Sequence, residues 1–247
     1  MNDARSHLFG VLAGLALAAG LVLSAMIGTR AWVRVRESHN ISVTGSARKN
    51  VRADLIVWNG SFLAEAKTLI EAQNILKSDA TKVRGFLATR GVTNAVFQPI
   101  KIEEVRGREY RDAKGKSYDE RTFSYRLTQP VEVRSTDLDR ITQMDGATAT
   151  LVEQGVLFTA TTPQFLYTKA GETKIEMLGE ATKDARARAE LIAQQGGSQL
   201  GGLQSARMGV FQITPLHSTQ TSWEGMNDTT ALDKTVTAVV TATFSLK

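Results

Sequence analysis

The sequence predicts an α+β domain: a largely antiparallel sheet with helices packed on one face, in the order ββα-ββα-βα-ββ, preceded by one N-terminal transmembrane helix. Three observations carry this reading. Segments whose apolar residues fall at every second position, the period of a half-buried strand, are interspersed with longer ones whose apolar residues recur at three and four. Three helical segments run into glycine before the next strand, at RGV from Arg90, EQGV from Glu153 and QQGG from Gln194. Strands come in adjacent pairs, which suits hairpins better than the regular strand and helix alternation of a doubly wound nucleotide fold.

The run Leu8–Ile27, LFGVLAGLALAAGLVLSAMI, holds no charged residue and is about as long as a bilayer-spanning helix requires. Arg5 and the small residues Ser24 and Ala25 also suit a signal cleaved after secretion to the periplasm. The run exceeds a usual signal core and lacks a clean A-x-A site, which favours an uncleaved anchor over residues 1–29. Arg30, Arg34 and Arg36 follow; alone they would hold this end in the cytoplasm. Residues 30–39 read as a juxtamembrane linker, with Trp32 as an interfacial ring.

Ile41, Val43, Gly45 and Ala47 then alternate with polar residues as a first strand. Arg52 to Ala64 is a second, apolar on both faces at Leu55, Ile56, Val57 and Trp58, as a central strand is. The stretch TGSARKN between them precedes a strand and lacks phosphate-loop spacing, so no helix N-terminus stands ready for an anion. A hairpin remains, in two registers. A two-residue turn at Lys49 and Asn50 sets Gly45 opposite Asp54, Val43 opposite Ile56 and Ile41 opposite Trp58. A three-residue turn sets Val43 opposite Val57 and Arg48 opposite Arg52. The first unites apolar side chains and avoids a like-charge pair, so it is preferred.

Thr68 to Arg90 is a helix with its stripe at Leu69, Ala72, Leu76, Ala80, Val83 and Leu87, capped at Gly91. A strand over Val92 to Val105 leads into the charged stretch Glu103 to Phe123, a solvated hairpin tip. Phe123, Tyr125, Leu127, Val131 and Val133 alternate as the next strand, in which Pro130 suggests an edge or a bulge. Ser135, Thr136 and Asp137 can cap a helix that ends near Gly155 and carries Gly146 in its middle. A strand over Val156 to Thr168, a helix over Glu172 to Gln195 and strands over Gln199 to Thr214 and Thr235 to Leu246 complete the order. A polar loop, His217 to Asp233, separates the last two.

With 42% hydrophobic residues, 22% charged residues and only 4 prolines, the chain suits folded structure throughout. The absence of cysteine excludes disulfides, thiolate metal sites and cysteine nucleophiles. His7, His39 and His217 lie far apart in sequence and show no ligand spacing, so neither a metal nor a cofactor is expected. There is no G-x-S-x-G elbow. The stretch GGSQLGG at Gly196–Gly202 follows a helix, where a phosphate loop would precede one. The net charge of +5 is spread along the chain and does not point to nucleic acid. No catalytic constellation emerges.

ISVTGSARKNVRADLIVW, Ile41 to Trp58, resembles the opening signature of the SIMPL-domain family, a V-x-G strand followed by a V-x-A-D strand. Val43, Gly45, Val51, Ala53 and Asp54 carry the match. It extends loosely over residues 40–247, through the helix after the second strand, the A-x-x-x-A helix at Ala181 to Ala189 and the last V-x-A-x-V strand. The resemblance implies an α+β domain in the periplasm or cell envelope, with no established enzymatic activity and no catalytic residues to carry across. Some members are linked to oxidative stress, are surface antigens or form ring-like or channel-like oligomers.

The expectation is a non-enzymatic protein anchored in the bacterial inner membrane through residues 8–27. Its periplasmic domain would be a homo-oligomeric structural or stress-related module. An alternative is a binding module for an anionic envelope ligand or protein partner, using Arg106, Arg108, Arg111, Lys114 and Lys116, although the acids between them favour a solvated loop. An unrecognised hydrolase is a third reading.

Overall fold

The computed structural model describes residues 14, 17–30, 39–105, 110–111, 117–118 and 124–247. Residues 17–30 form a helix, α1, that leaves Leu17, Leu21, Val22, Leu23, Met26 and Ile27 exposed. Most of residues 8–16, the first part of the expected span, lies outside the described residues. Among the described residues, no helix is long and apolar enough to cross a membrane.

The first two strands do not form a hairpin, which corrects both registers set out above. β1 (Asn40–Arg52) and β2 (Leu55–Ala66) are separated only by Ala53 and Asp54, yet they belong to different sheets. β1 pairs with β13 (Asp233–Leu246), the last strand of the chain. Side chains mark the alignment: Ser42 bonds with Thr243, Thr44 with Thr241 and Asn50 with Thr235, in the descending order of antiparallel strands. The expected single sheet is therefore two main sheets, of five and six strands, besides a separate two-stranded pair. Both are built mainly of antiparallel pairs, in an α+β arrangement.

The chain divides into two compact units. One comprises residues up to Ser46, Leu178–Gly209 and Val239–Lys247; the other comprises Ala47–Met177 and Val210–Ala238. In the second, β2 is central, as its two-sided apolar pattern predicts. It pairs along its length with β7 (Ser124–Ser135), and on its other edge with β8 (Leu157–Ala160) and β9 (Gln164–Leu166). β3 (Val96–Phe97) and β4 (Lys101–Val105) pair with the far edge of β7. Pro130 thus sits in an interior strand. It is tolerated because its carbonyl, which accepts from the Gln98 N–H, faces the gap between β3 and β4, where no ladder N–H is needed.

Helix α2 (Leu69–Thr89) packs on β2 and β7, and its first turn is closed by reciprocal bonds between Thr68 and Glu71. α3 (Leu138–Gly146) and α4 (Ala149–Glu153) replace one expected helix, which breaks just past Gly146. Trp58, Phe62, Leu76, Val83, Leu127, Val131, Ile141 and Leu151 lie in the resulting core. Trp58 stacks on Phe158 with ring centroids 5.9 Å apart, and its indole N–H donates to Asp145 at 2.7 Å.

The first unit contains the C-terminal part of α5 (Ala170–Gln195) with the start of β1, the end of β13 and β10 (Leu200–Met208). Ala181, Ala185 and Ala189 are fully buried, as is Ala242 on β13. A Cβ on Gly45 would fall on the Ala181 carbonyl oxygen and the Ala185 backbone, so glycine lets strand and helix meet backbone to backbone. Beyond β10, the short β11 (Gln212–Pro215) pairs with β13 and β12 (Met226–Asn227), in the second unit. Gly91, Gly155 and Gly197, after α2, α4 and α5, adopt φ of +73, +78 and +74°, the left-handed conformation their positions predict.

Candidate functional site

The signature residues at the sheet switch act through both backbone and side chains. The Ala53 N–H donates to the Leu232 carbonyl at 2.9 Å, and the Asp54 N–H to that of Leu166 at 3.0 Å. Amides that leave one ladder are thereby satisfied by a loop and by the end of β9 in the same unit. The Asp54 carboxylate accepts from the Thr168 N–H at 2.8 Å and its hydroxyl at 2.9 Å, just ahead of α5. Val51 packs on a small cluster of Met177, Ile213, Val236 and Ala238. Val43 and Gly45 lie in the first unit, where the Ser46 N–H donates to Asp184 at 2.8 Å. That bond, with help from the Arg188 guanidinium, holds the Asp184 carboxyl below its ordinary pKa.

A cleft of about 820 Å³ opens beside this switch, lined by Arg52–Leu55, Thr136–Asp139, Thr168 and Lys169. Its charges are largely spent on the chain itself. Arg52 pairs with Asp139 at 2.9 Å. Asp137 caps α3 by accepting the Arg140 N–H at 3.1 Å, and also meets the Arg140 guanidinium. A carboxylate therefore already occupies the positive end of that helix, where an exogenous anion would otherwise bind. Lys169 has no ion-pair partner among the described residues. The exposed pairs are worth at most about 1 kcal/mol each. Among the described residues, no group of three or more histidines and carboxylates is placed to hold a metal ion.

The loop that holds Ala53 is built around a buried ion pair, Lys234 with Asp228. The Lys234 ammonium is fully buried and donates to the Asp228 carboxylate at 2.6 Å and to its carbonyl at 2.7 Å. Asp228 also accepts from the Thr230 N–H and hydroxyl and from the Ala231 N–H. Burial acts to raise its pKa, but these bonds, led by that from Lys234, outweigh it and pull the group from 3.8 down to about 2. From this hub the loop receives the Phe165 N–H at Thr229 and the Ala53 N–H at Leu232.

Of the basic residues singled out for an anionic partner, Arg106, Arg108, Lys114 and Lys116 lie outside the described residues. Arg111 belongs to β5 (Tyr110–Arg111), which pairs with β6 (Ser117–Tyr118). The Asp228 and Lys234 pair went unread in the sequence, although two signals were there. NDTT is an Asx-turn pattern, and Lys234 stands on the same face of its strand as Val236, Ala238 and Val240, where a cation needs a partner.

No curated protein matches the chain. Among solved structures, an amidase of the hydantoinase/carbamoylase family from Burkholderia phymatum is 12% identical over 55% of this chain and 35% of that one. The TM-score is 0.25, too low for an argument about fold or activity. The family comparison is of another kind. Residues 41–244 match the family described as SIMPL, protein of unknown function (DUF541), a region that begins at the strand bearing Val43 and Gly45 and ends within β13. On that match, over most of its length, the chain belongs to the SIMPL family.

Proposed function

We propose that this protein is a non-enzymatic module of the bacterial cell envelope, anchored in the inner membrane by its N-terminal segment and self-associating through its periplasmic SIMPL domain. The charge-free run Leu8–Ile27, set directly ahead of that domain, carries the reading. The exposed Leu17, Leu21, Val22, Leu23, Met26 and Ile27 on α1 support it, since an apolar helix surface suits lipid better than water. The arginines after the run oppose the orientation only weakly, because large domains translocate largely regardless of flanking charge.

Topology is tested with a pair of reporters fused after Lys247, one active only in the periplasm and one only in the cytoplasm, combined with membrane fractionation. Activity of the periplasmic reporter with retention in the membrane is expected. Activity of the cytoplasmic one alone overturns the placement. The mass of the full chain in mild detergent tests self-association, and a strict monomer at high concentration removes that half of the reading. For a stress-related role, a deletion strain should be more sensitive to peroxide than its parent and recover when the chain is restored.

A further inference from the structure

We infer that the loop carrying Trp223 is an interaction surface for a second copy of this chain, Trp223 of each copy seating in an apolar pocket of the other. The inference rests on the self-association proposed above and names its contact. Trp223 is 83% exposed, the most exposed large apolar side chain among the described residues. Its loop is nevertheless built to hold still. The Gln212 side chain, largely buried, clasps Ser222 from both sides, its amide nitrogen donating to the Ser222 carbonyl and its amide oxygen accepting the Ser222 N–H. Gly225 follows with φ +101° and donates to the Ser222 carbonyl at 3.2 Å, and β12 then ties the chain to β11. With the backbone on both sides of the indole tied down, little loop ordering is left to lose on docking, which favours a tryptophan as an interface anchor.

The receptor is adjacent. A cavity of about 410 Å³ is lined by Phe211, Ile213 and Met226, with Gly171, Lys174 and Glu224 among its other walls. Glu224 directly follows Trp223, so anchor and receptor share one patch of one unit. A patch that holds both can be matched by an identical patch across a two-fold axis, each tryptophan entering the opposite pocket. Charge favours a copy over an unrelated apolar partner. Lys174 and Glu224 carry opposite charges on the same pocket, and neither has an ion-pair partner among the described residues. Lys174 makes only a loose approach to the Phe211 ring, 5.9 Å from its centroid. Across the axis, Lys174 of one copy faces Glu224 of the other, twice.

The test uses the full chain in mild detergent, with mass followed by light scattering across a dilution series. Trp223→Ala is expected to raise the concentration at which the assembly dissociates by at least about tenfold. Lys174→Glu and Glu224→Lys should each do the same, and the two together should restore assembly, a rescue that misfolding would not produce. An associating wild type that is unaffected by all three single changes overturns this contact while leaving self-association standing. A monomeric wild type overturns both. Trp223→Ala that leaves the mass unchanged but weakens retention on anionic phospholipid vesicles assigns the tryptophan to the membrane surface and also overturns the contact.

Discussion

The two units solve the same problem, seating helices on a sheet, with opposite materials. The second interleaves large side chains: Trp58, Phe62, Leu76, Phe86 and Leu127 are buried together, and Gly60 is spared a side chain so that Trp58 and Phe158 have room. The first removes atoms instead, bringing an alanine stripe and Gly45 into backbone contact. A core filled by bulk is damaged by truncation, because a cavity remains. A core set by backbone contact is damaged by addition, because nothing flexible can yield.

Five substitutions would break or sharpen that contrast. Trp58→Ala should be the most damaging, lowering stability by about 4 kcal/mol in urea titrations, with faster hydrogen exchange in β2 and β7. Lys234→Met comes next, at about 3 kcal/mol, since it strands the Asp228 carboxylate without its cation. The acid limb carries the signature of that pair. Because the folded pKa of Asp228 is depressed from 3.8 to about 2, its contribution of about 2 kcal/mol is present above 3.8 and is lost as pH falls through about 2. Lys234→Met should move that loss to higher pH. Gly45→Ala, a single added methyl, should cost about 2 kcal/mol, more than the roughly 1 kcal/mol for removing one by Ala185→Gly, the reverse of the order expected in the second unit. Asp137→Ala, which removes the α3 cap, should lower the urea midpoint by an amount worth about 1 kcal/mol, level with Ala185→Gly.

Whatever depends on local periodicity was legible in the sequence. The stripe of α2, the central character of β2 and the three glycine-ended helices follow from apolar spacing and the freedom of glycine. The partner of β1 was not. Its alternation fits any apolar neighbour, and the nearest one in sequence, β2, has the same period, so pattern alone selects a hairpin. Asp54 decided otherwise, because its side chain and N–H are committed to Thr168 and Leu166, far along the chain. At the candidate site, Val43, Gly45, Val51, Ala53 and Asp54 were visible as a motif, but the work each does needs tertiary neighbours to be seen. The pocket beside Trp223 was hidden for the same reason, since Lys174, Phe211 and Met226 meet only in the folded unit.

The pairing of β1 with β13 also sets a schedule for folding. Thr44 and Thr241 meet across 197 positions, and Ser42 and Thr243 across 201, so this ladder closes a loop nearly as long as the protein. Such closure is slow and comes late. During synthesis β1 leads the domain with its ladder partner still unmade, and it stays unpaired until β13 follows. A first strand that waits for the last one makes the two ends of the domain the last parts to gain their ladder, so slowed refolding should show first as missing hydrogen-exchange protection in β1 and β13.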